Sequence, residues 1–301
     1  LSMMDEITEK LDNNKLVACL GLDIQKAFDT VDHQILFEKF RNIGIRDGEL
    51  DFFKSYYTGR RQYSKVNGTV TEDFVTIPRS VLQGTVLGVI GFLIFINDIK
   101  NVTGEADNFI FADDLNSLFF ADSHQELEEK INRDVEKLME YYSVNKLAVH
   151  PQKSTVILFR KKGTKSKYKK KLDDEGTEIY DLNCWINGSR LRVVNNDKND
   201  KTVKILGILF DENLSFEQQA KALKAKLSSA VFSISRARKF LNNEEMLMLY
   251  HAFFRSHINY SLPFLGACSE KTIEEIHRMD KKILRICLLY TSDAADEGLG
   301  V

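Results

Sequence analysis

The pattern of apolar and polar positions divides the chain into a strand-and-helix part followed by a helical part. Leu16-Val17-Ala18-Cys19-Leu20-Gly21-Leu22 is a short continuous apolar run and predicts a buried strand. Ile35, Leu36, Phe40 and Ile43 recur at helical spacing with Gly44 placed to end the helix, and a second helix over residues 50–58 carries Phe52, Phe53, Tyr56 and Tyr57. Asn67-Gly68, between residues 62–66 and 69–77, is a hairpin signal. An apolar helix over residues 81–96 comes next, then strands over 108–111 and 115–120 joined by a tight turn. Ser123 and Glu126 form a capping box for an amphipathic helix with Leu127, Ile131, Leu138 and Tyr142 on one face, and a strand over 154–159 follows Pro151. A hairpin is expected around Asn187-Gly188, between residues 184–186 and 191–194, and one strand over 203–210. This order suits an antiparallel sheet with helices packed on one face, an α+β design. Three helical stripes complete the chain: Phe216, Ala220, Leu223, Leu227, Ile234 and Leu241; then Met246, Leu249, Tyr250, Phe253 and Ile258; then Ile273, Ile276, Ile283 and Ile286.

Composition narrows the class. Of 301 residues 43% are apolar and only three are proline, which favours packed elements over disorder. Cys19, Cys184, Cys268 and Cys287 stand far apart without a C-x-x-C pair, which argues against a zinc site or a disulfide framework and for a reducing intracellular setting. Acids occupy the N-terminus where a signal peptide would be basic. The uncharged stretch 80–97 is the only one to invite a membrane reading, and Gln83, Gly84, Gly88 and Gly91 favour a buried soluble helix instead. Positive charge is clustered although the net charge is only −2. Residues 160–171, RKKGTKSKYKKK, with Lys162 near their start, read first as a solvated flexible loop and second as a nucleic-acid contact. Arg60, Arg61 and Lys65 at the first hairpin, and Lys221, Lys224, Lys226, Arg236, Arg238 and Lys239 in the helical part, carry the same two readings.

The candidate chemistry lies in the acids. Asp113 and Asp114 fall in the turn between two strands, and Asp23 ends the strand over Leu16–Leu22, so neighbouring strands would bring all three together. Paired carboxylates must face water or hold a metal ion, and this arrangement can hold two divalent cations for in-line phosphoryl transfer. Asp23 and Asp113 would bridge both ions, with oxygen ligands suited to Mg2+. Gln83 and Gly84 before an apolar helix would suit a nucleotide lying against it.

Taken in order, these motifs resemble the reverse transcriptase of a non-LTR (LINE-type) retrotransposon, from about Ile7 to Cys287. LGLDIQKAFDTVDH, residues 20–33, resembles the first palm motif; the resemblance implies a metal ligand at Asp23 and an aromatic gate against ribose 2′-hydroxyls at Phe28. SVLQGTVLG, residues 80–88, resembles the segment lining the incoming nucleotide, which implies that role for Gln83 and Gly84. FADD, residues 111–114, is similar to the metal-binding turn, implying Asp113 and Asp114 as ligands. HPQKSTVILF, residues 150–159, resembles a fourth motif and implies Lys153 as proton donor to pyrophosphate. ILGILFDENLSF, from Ile205, resembles the strand pair that grips the primer end, through Leu206 and Gly207. Leu82 and Val89 stand where the family usually has proline, Asn116 where threonine is common, and Phe111 where tyrosine is commoner.

The resemblance implies a right-hand polymerase palm over residues 1–159 with a remnant of fingers, a basic loop and hairpin insertion over 160–202, primer-grip strands over 203–215 and an all-α thumb over 216–287. The finger motifs that bind triphosphate would precede residue 1, and residues 288–301 read as a non-native tail of adapter origin, so that the natural chain would continue past Cys287. The implied activity is extension of a DNA primer on an RNA template from deoxynucleoside triphosphates, with two Mg2+ ions or Mn2+ in their place, in an intracellular ribonucleoprotein of nucleus and cytoplasm with no membrane. The alternative is an inactive nucleic-acid-binding fragment of a decayed element. A viral RNA-directed RNA polymerase is disfavoured by Phe28 and by Ala112 before the acids, and a phosphoacceptor receiver domain by Asp23 preceding the acid pair.

Overall fold

A computed structural model describes residues 2–63, 65–67, 69, 70, 75, 76, 79–164, 166–198 and 201–288. Gly68 of the first hairpin turn, Lys165 of the basic run and the tail from residue 289 onward lie outside the described residues. The chain falls into two compact units, Ser2–Asp197 and Lys198–Val301.

The first unit is built on β1 (Leu16–Leu22), the middle strand of five. Helices α1 (Ser2–Asp12), α2 (His33–Asn42), α3 (Asp47–Tyr57) and α4 (Val86–Ile96) flank it in sequence; β2 (Asp107–Phe111) and β3 (Asp114–Ala121) form a hairpin; α5 (His124–Val144), β4 (Thr155–Phe159) and β5 (Arg192–Val193) complete the unit. The order is β5-β4-β1-β3-β2, antiparallel except for the β5–β4 pair. Burial on both faces explains the unbroken apolar run of β1. Its even-numbered residues, Leu16 to Leu22, join one core with Leu36 and Phe40 of α2, Phe92 and Phe95 of α4, and Leu127, Ile131 and Leu138 of α5, so helices do pack on one face as expected.

The other face carries an element that the periodicity did not show. Helix α1 lies against β1, buries Met3 and Ile7, and sets the Lys10 ammonium 5.4 Å from the centre of the Phe120 ring. Two buried positions in 11 residues make too short a stripe to read. Helix α4 also differs from expectation: Phe92, Phe95 and Ile96 are buried, yet Val86 is 76% exposed and Val89, Ile90 and Leu93 lie at the surface. With no polar residue from Val86 to Ile96, nothing in its sequence distinguishes the inner side from the outer. No helix among the described residues is long and apolar enough to cross a membrane.

The capping box forms in altered shape: Ser123 Oγ accepts from the Glu126 N–H (3.2 Å), but the Glu126 carboxylate reaches back to the Asp122 N–H (2.9 Å). The first hairpin is realised as two pairs, Arg61–Gln62 with Val75–Thr76 and Lys65–Val66 with Thr69–Val70. Asn187 (φ +47°) and Gly188 (φ +75°) turn a hairpin as expected, but Arg192–Val193 pairs in parallel with β4 rather than with the strand before the turn. The basic run is not a single solvated loop. Tyr168 is buried, and its hydroxyl takes the Val17 N–H (3.0 Å) and lies 2.6 Å from the Phe159 carbonyl. Around it Lys161 pairs with Asp12, Lys170 with Glu178 and Lys171 with Asp181.

In the second unit the apolar pattern gave a single strand over 203–210 and the resemblance a strand pair at Leu206 and Gly207; the structure has the pair, β6 (Thr202–Ile205) and β7 (Ile208–Asp211), turned by Leu206 (φ +46°) and Gly207 (φ +84°). Positive φ at both central residues is the two-residue turn that matches strand twist. Four helices follow: α6 (Glu217–Ala237), α7 (Asn243–Leu249), α8 (Ser256–Leu265) and α9 (Glu270–Leu288), with a π-helical turn over Tyr250–Arg255 joining α7 to α8. That wider turn shifts the stripe by one residue, so that Phe254 is buried and the expected Phe253 is exposed.

Candidate active site

Strand register assembles the acids. β1 pairs with β3 from Leu16↔Ala121 to Leu22↔Leu115, and the next step of that register sets Asp23 beside Asp114. β2 and β3 pair up to Phe111↔Asp114, leaving Ala112 and Asp113 as a two-residue turn. Ala112 sits at φ +53°, a left-handed conformation that costs a non-glycine residue about 1 kcal/mol, so the tight turn is held by the strands on either side. Burial pushes the Asp114 carboxyl above its ordinary value, and the charges of Asp113 and Asp23 push it further. The three acids therefore share one electrostatic site.

The residues after Asp23 run along those before β4. The His150 N–H donates to the Asp23 carbonyl (2.8 Å), Ile24 bridges Val149, and the Asp23 N–H points at Ser154 Oγ (3.4 Å). The turn from His150 to Lys153, closed by the Lys153 N–H on the His150 carbonyl (3.1 Å), brings Lys153 Nζ to 3.8 Å from Asp23 Oδ2. Both side chains are well exposed, so this contact adds little stability and leaves the ammonium able to move. Lys153 thus stands beside Asp23.

Three carboxylates with no thiol or imidazole among them suit a hard divalent cation. Among the described residues no group of three or more acidic, histidine or cysteine side chains is placed to hold a metal ion as it stands.

Phe28, Gln83 and Gly84, which the resemblance implied as gate and nucleotide segment, lie on the same unit. Phe28 is half-buried with its ring stacked on Phe92 of α4, centroids 4.5 Å apart. Its carbonyl accepts the Val81 N–H (2.9 Å), and Gln83 Nε2 donates to Asp29 Oδ1 (2.9 Å). Gly84 takes φ +79°, and Thr85 caps α4 through the Gly88 N–H (3.1 Å). Leu82 stands where the resembling family has proline, yet its carbonyl accepts Thr85 Oγ1–H (2.9 Å), which closes the turn without a fixed ring. A Cβ on Gly88 would lie 1.9 Å from that carbonyl, so glycine is required there. Neither Asp29, Phe92 nor Ser154 was marked by the sequence, since each acts through one contact with a distant residue.

The basic candidates divide by environment. Arg60 Nε donates to the Tyr56 carbonyl (2.7 Å) with its guanidinium over that ring, while Arg61, Lys65 and Lys162 are exposed. In the second unit Lys224 is engaged by Glu275 at 2.5 Å. Lys226, with His257, instead lines two adjoining cavities of about 410 and 280 Å³, the smaller also bounded by Gly207 and Tyr260. The Tyr260 hydroxyl donates to the Leu206 carbonyl and so ties α8 to the hairpin turn.

The chain is 23% identical over 288 residues to the RNA-directed DNA polymerase from mobile element jockey of Drosophila funebris, covering 92% of this chain and 29% of that protein. It is 28% identical to the Pol polyprotein from type-1 retrotransposable element R2 of Popillia japonica, over 46% of this chain and 24% of the relative, and 28% identical to that of element R1 4 of Nasonia vitripennis, over 60% and 47%. The chain thus spans less than half the length of each of these relatives. Solved structures of telomerase from Candida tropicalis, apo and with a TWJ fragment of telomeric RNA, share 13% identity and cover 95% of this chain and about half of theirs, with TM-scores of 0.43 and 0.42. The sequence profile described as reverse transcriptase (RNA-dependent DNA polymerase) matches residues 2–210, which take in the three acids, the gate, the nucleotide segment and the hairpin turn, and the chain belongs to that family.

Proposed function

We propose that this chain is the palm and thumb of an RNA-directed DNA polymerase of a non-LTR retrotransposon, which extends a DNA primer on an RNA template from deoxynucleoside triphosphates. The observation that carries the reading is the register of β1 with β3, which brings Asp23 to Asp113 and Asp114 and raises the Asp114 carboxyl. These carboxylates would hold two Mg2+ ions, or Mn2+ in their place, which supply an activated primer hydroxyl and neutralise charge on the leaving pyrophosphate. Lys153, exposed and 3.8 Å from Asp23, would give a proton to that leaving group. Leu206 and Gly207 would meet the primer end, and the exposed cations Arg61, Lys65, Lys162 and Lys226 the phosphate backbone. An intracellular ribonucleoprotein of nucleus and cytoplasm follows from the same reading.

The test is primer extension by the full-length protein on an RNA template with deoxynucleotides. Extension is expected with Mg2+ and its loss on chelation, with recovery when Mg2+ is returned. Extension that persists under chelation, or none under any divalent ion, counts against the proposal and in the second case favours the inactive fragment.

Phe28→Val tests the gate. Its stacking on Phe92 prevents the ring from swinging aside, so a shorter side chain should open space beside the sugar. Ribonucleotide use relative to deoxynucleotide use, measured as the ratio of kcat/KM values, is expected to rise about tenfold or more, the usual range for a pocket that discriminates by shape. An unchanged ratio would remove Phe28 from that role.

A further inference from the structure

Asp29 and Gln83 are exposed, 54 residues apart in the chain, and joined by a 2.9 Å hydrogen bond. The chemistry of this pair is one-sided. An ionised carboxylate only accepts hydrogen bonds, so the Gln83 amide must turn its nitrogen toward Asp29. The terminal torsion of a glutamine is otherwise broad and close to two-fold, presenting oxygen or nitrogen with similar ease. Asp29 thereby decides that Oε1, with the second N–H, is what Gln83 offers on its other side. The same link joins the gate to the nucleotide segment, because Asp29 follows Phe28 directly and the Phe28 carbonyl already holds the Val81 N–H. Two residues further on, the Val31 carbonyl takes the Ser80 N–H (3.0 Å), so the two segments are bonded at three successive points.

We propose that Asp29 is a positioning residue for nucleotide selection, acting through the Gln83 amide and the Phe28 peptide without touching the nucleotide itself. This rests on the polymerase reading above. An ordinary surface hydrogen bond between two exposed side chains would leave selection unchanged, and that rival has a different signature.

The experiment uses the full-length protein in RNA-templated primer extension with deoxynucleotides and with ribonucleotides, comparing wild type, Asp29→Ala, Asp29→Asn, Gln83→Ala and the Asp29→Ala/Gln83→Ala double variant. Loss of one orienting hydrogen bond should raise the deoxynucleotide KM about fivefold with kcat within about twofold, and narrow the preference over ribonucleotides by a similar factor. Asp29→Asn can present either an acceptor oxygen or a donor NH2, so it no longer fixes the Gln83 amide and should leave KM about twofold or more above wild type. In the Gln83→Ala background Asp29→Ala should add nothing, because its partner is gone. A silent Asp29→Ala, additive effects in the double variant, an Asp29→Asn protein indistinguishable from wild type, or a loss confined to kcat would each overturn the proposal. A wild-type protein that does not extend overturns the polymerase reading and Asp29 with it, whereas extension with a silent Asp29→Ala removes Asp29 alone.

Discussion

Asp113→Asn is expected to abolish primer extension, by about a thousandfold or more, while leaving the metal-free protein as stable as wild type or slightly more so. The first half follows from the turn. Asp113 stands at the tip between Phe111 and Asp114, and an amide there removes one of the two charges proposed to bridge both cations. A bound metal contributes several kcal/mol of transition-state stabilisation, and each factor of ten in rate is about 1.4 kcal/mol. The second half follows from the sign of the Asp114 shift. Its carboxyl is raised by burial first and then by Asp113 and Asp23, so in the carboxylate range the folded protein binds more protons than the unfolded chain. Stability contributed at this site therefore falls as pH rises through that window, and at neutral pH the metal-free site carries unrelieved repulsion. Removing one of the facing charges should return about 0.5 kcal/mol, the scale of an exposed charge pair. Mg2+ should raise the melting temperature of wild type more than that of the variant, because only wild type has the full repulsion for the ion to relieve. As pH falls toward the raised carboxyl of Asp114, protons compete with the cation, so the metal requirement of wild type should steepen in acid. Extension assays and thermal melts with and without Mg2+ check both halves. Retained extension in Asp113→Asn removes the metal assignment, and a clearly destabilised variant removes the repulsion argument.

The extent to which the fold could be read followed from how much of each signal is local. The α5 stripe, the Leu16–Leu22 run and Asn187-Gly188 carry their structure in adjacent residues, and all three formed as expected. Helix α1 did not announce itself because burial falls on only Met3 and Ile7. The split of residues 203–210 into β6 and β7 was concealed by Leu206, a residue that rarely takes positive φ and does so here with its carbonyl held by Tyr260. The π turn was invisible to a 3.6-residue period, which is why Phe253 was assigned inward. Tyr168 sat in a run of cations that suggested solvent, whereas its hydroxyl meets the backbones of β1 and β4.

The candidate site divides in the same way. Asp23, Asp113 and Asp114 were legible as residue types at strand ends, but their convergence depends on the pairing of two strands some ninety residues apart, which no periodicity records. Gln83 and Gly84 were legible from the turn and helix start they occupy, while Asp29, the partner that orients Gln83, was not. Charge alone was a poor guide among the cations. Lys224 and Lys226 lie two positions apart on α6, yet one is engaged by Glu275 and the other lines the cavities beside Tyr260 and Phe253.

Asp134→Ala is expected to cost about 3 kcal/mol of stability, the largest loss from any single polar side chain in the first unit, and to reduce extension at elevated temperature although Asp134 is remote in sequence from every motif. Asp134 lies on α5, fully buried, and its carboxylate accepts the N–H groups of Gly104 (3.2 Å), Glu105 (3.0 Å) and Ala106 (3.0 Å). These residues lead into β2, whose far end carries the Ala112–Asp113 turn. Hydrogen bonds to a charged group are worth about 1.5–3 kcal/mol each, but water can reach part of this loop, so three bonds return less than their sum. Lys137 at 3.5 Å on the next turn of the helix supplies a partly exposed counter-charge, which would be left without this partner. Alanine also leaves a small void beneath the loop. Asp134→Asn keeps acceptor capacity through one oxygen and should lose about half as much, which separates hydrogen bonding from packing. Chemical denaturation of the three proteins measures the order wild type, Asn, Ala. If alanine falls within about 0.5 kcal/mol of wild type, the range of an ordinary surface substitution, the carboxylate does not hold the loop and the hairpin bearing Asp113 is fixed by its strand pairing alone.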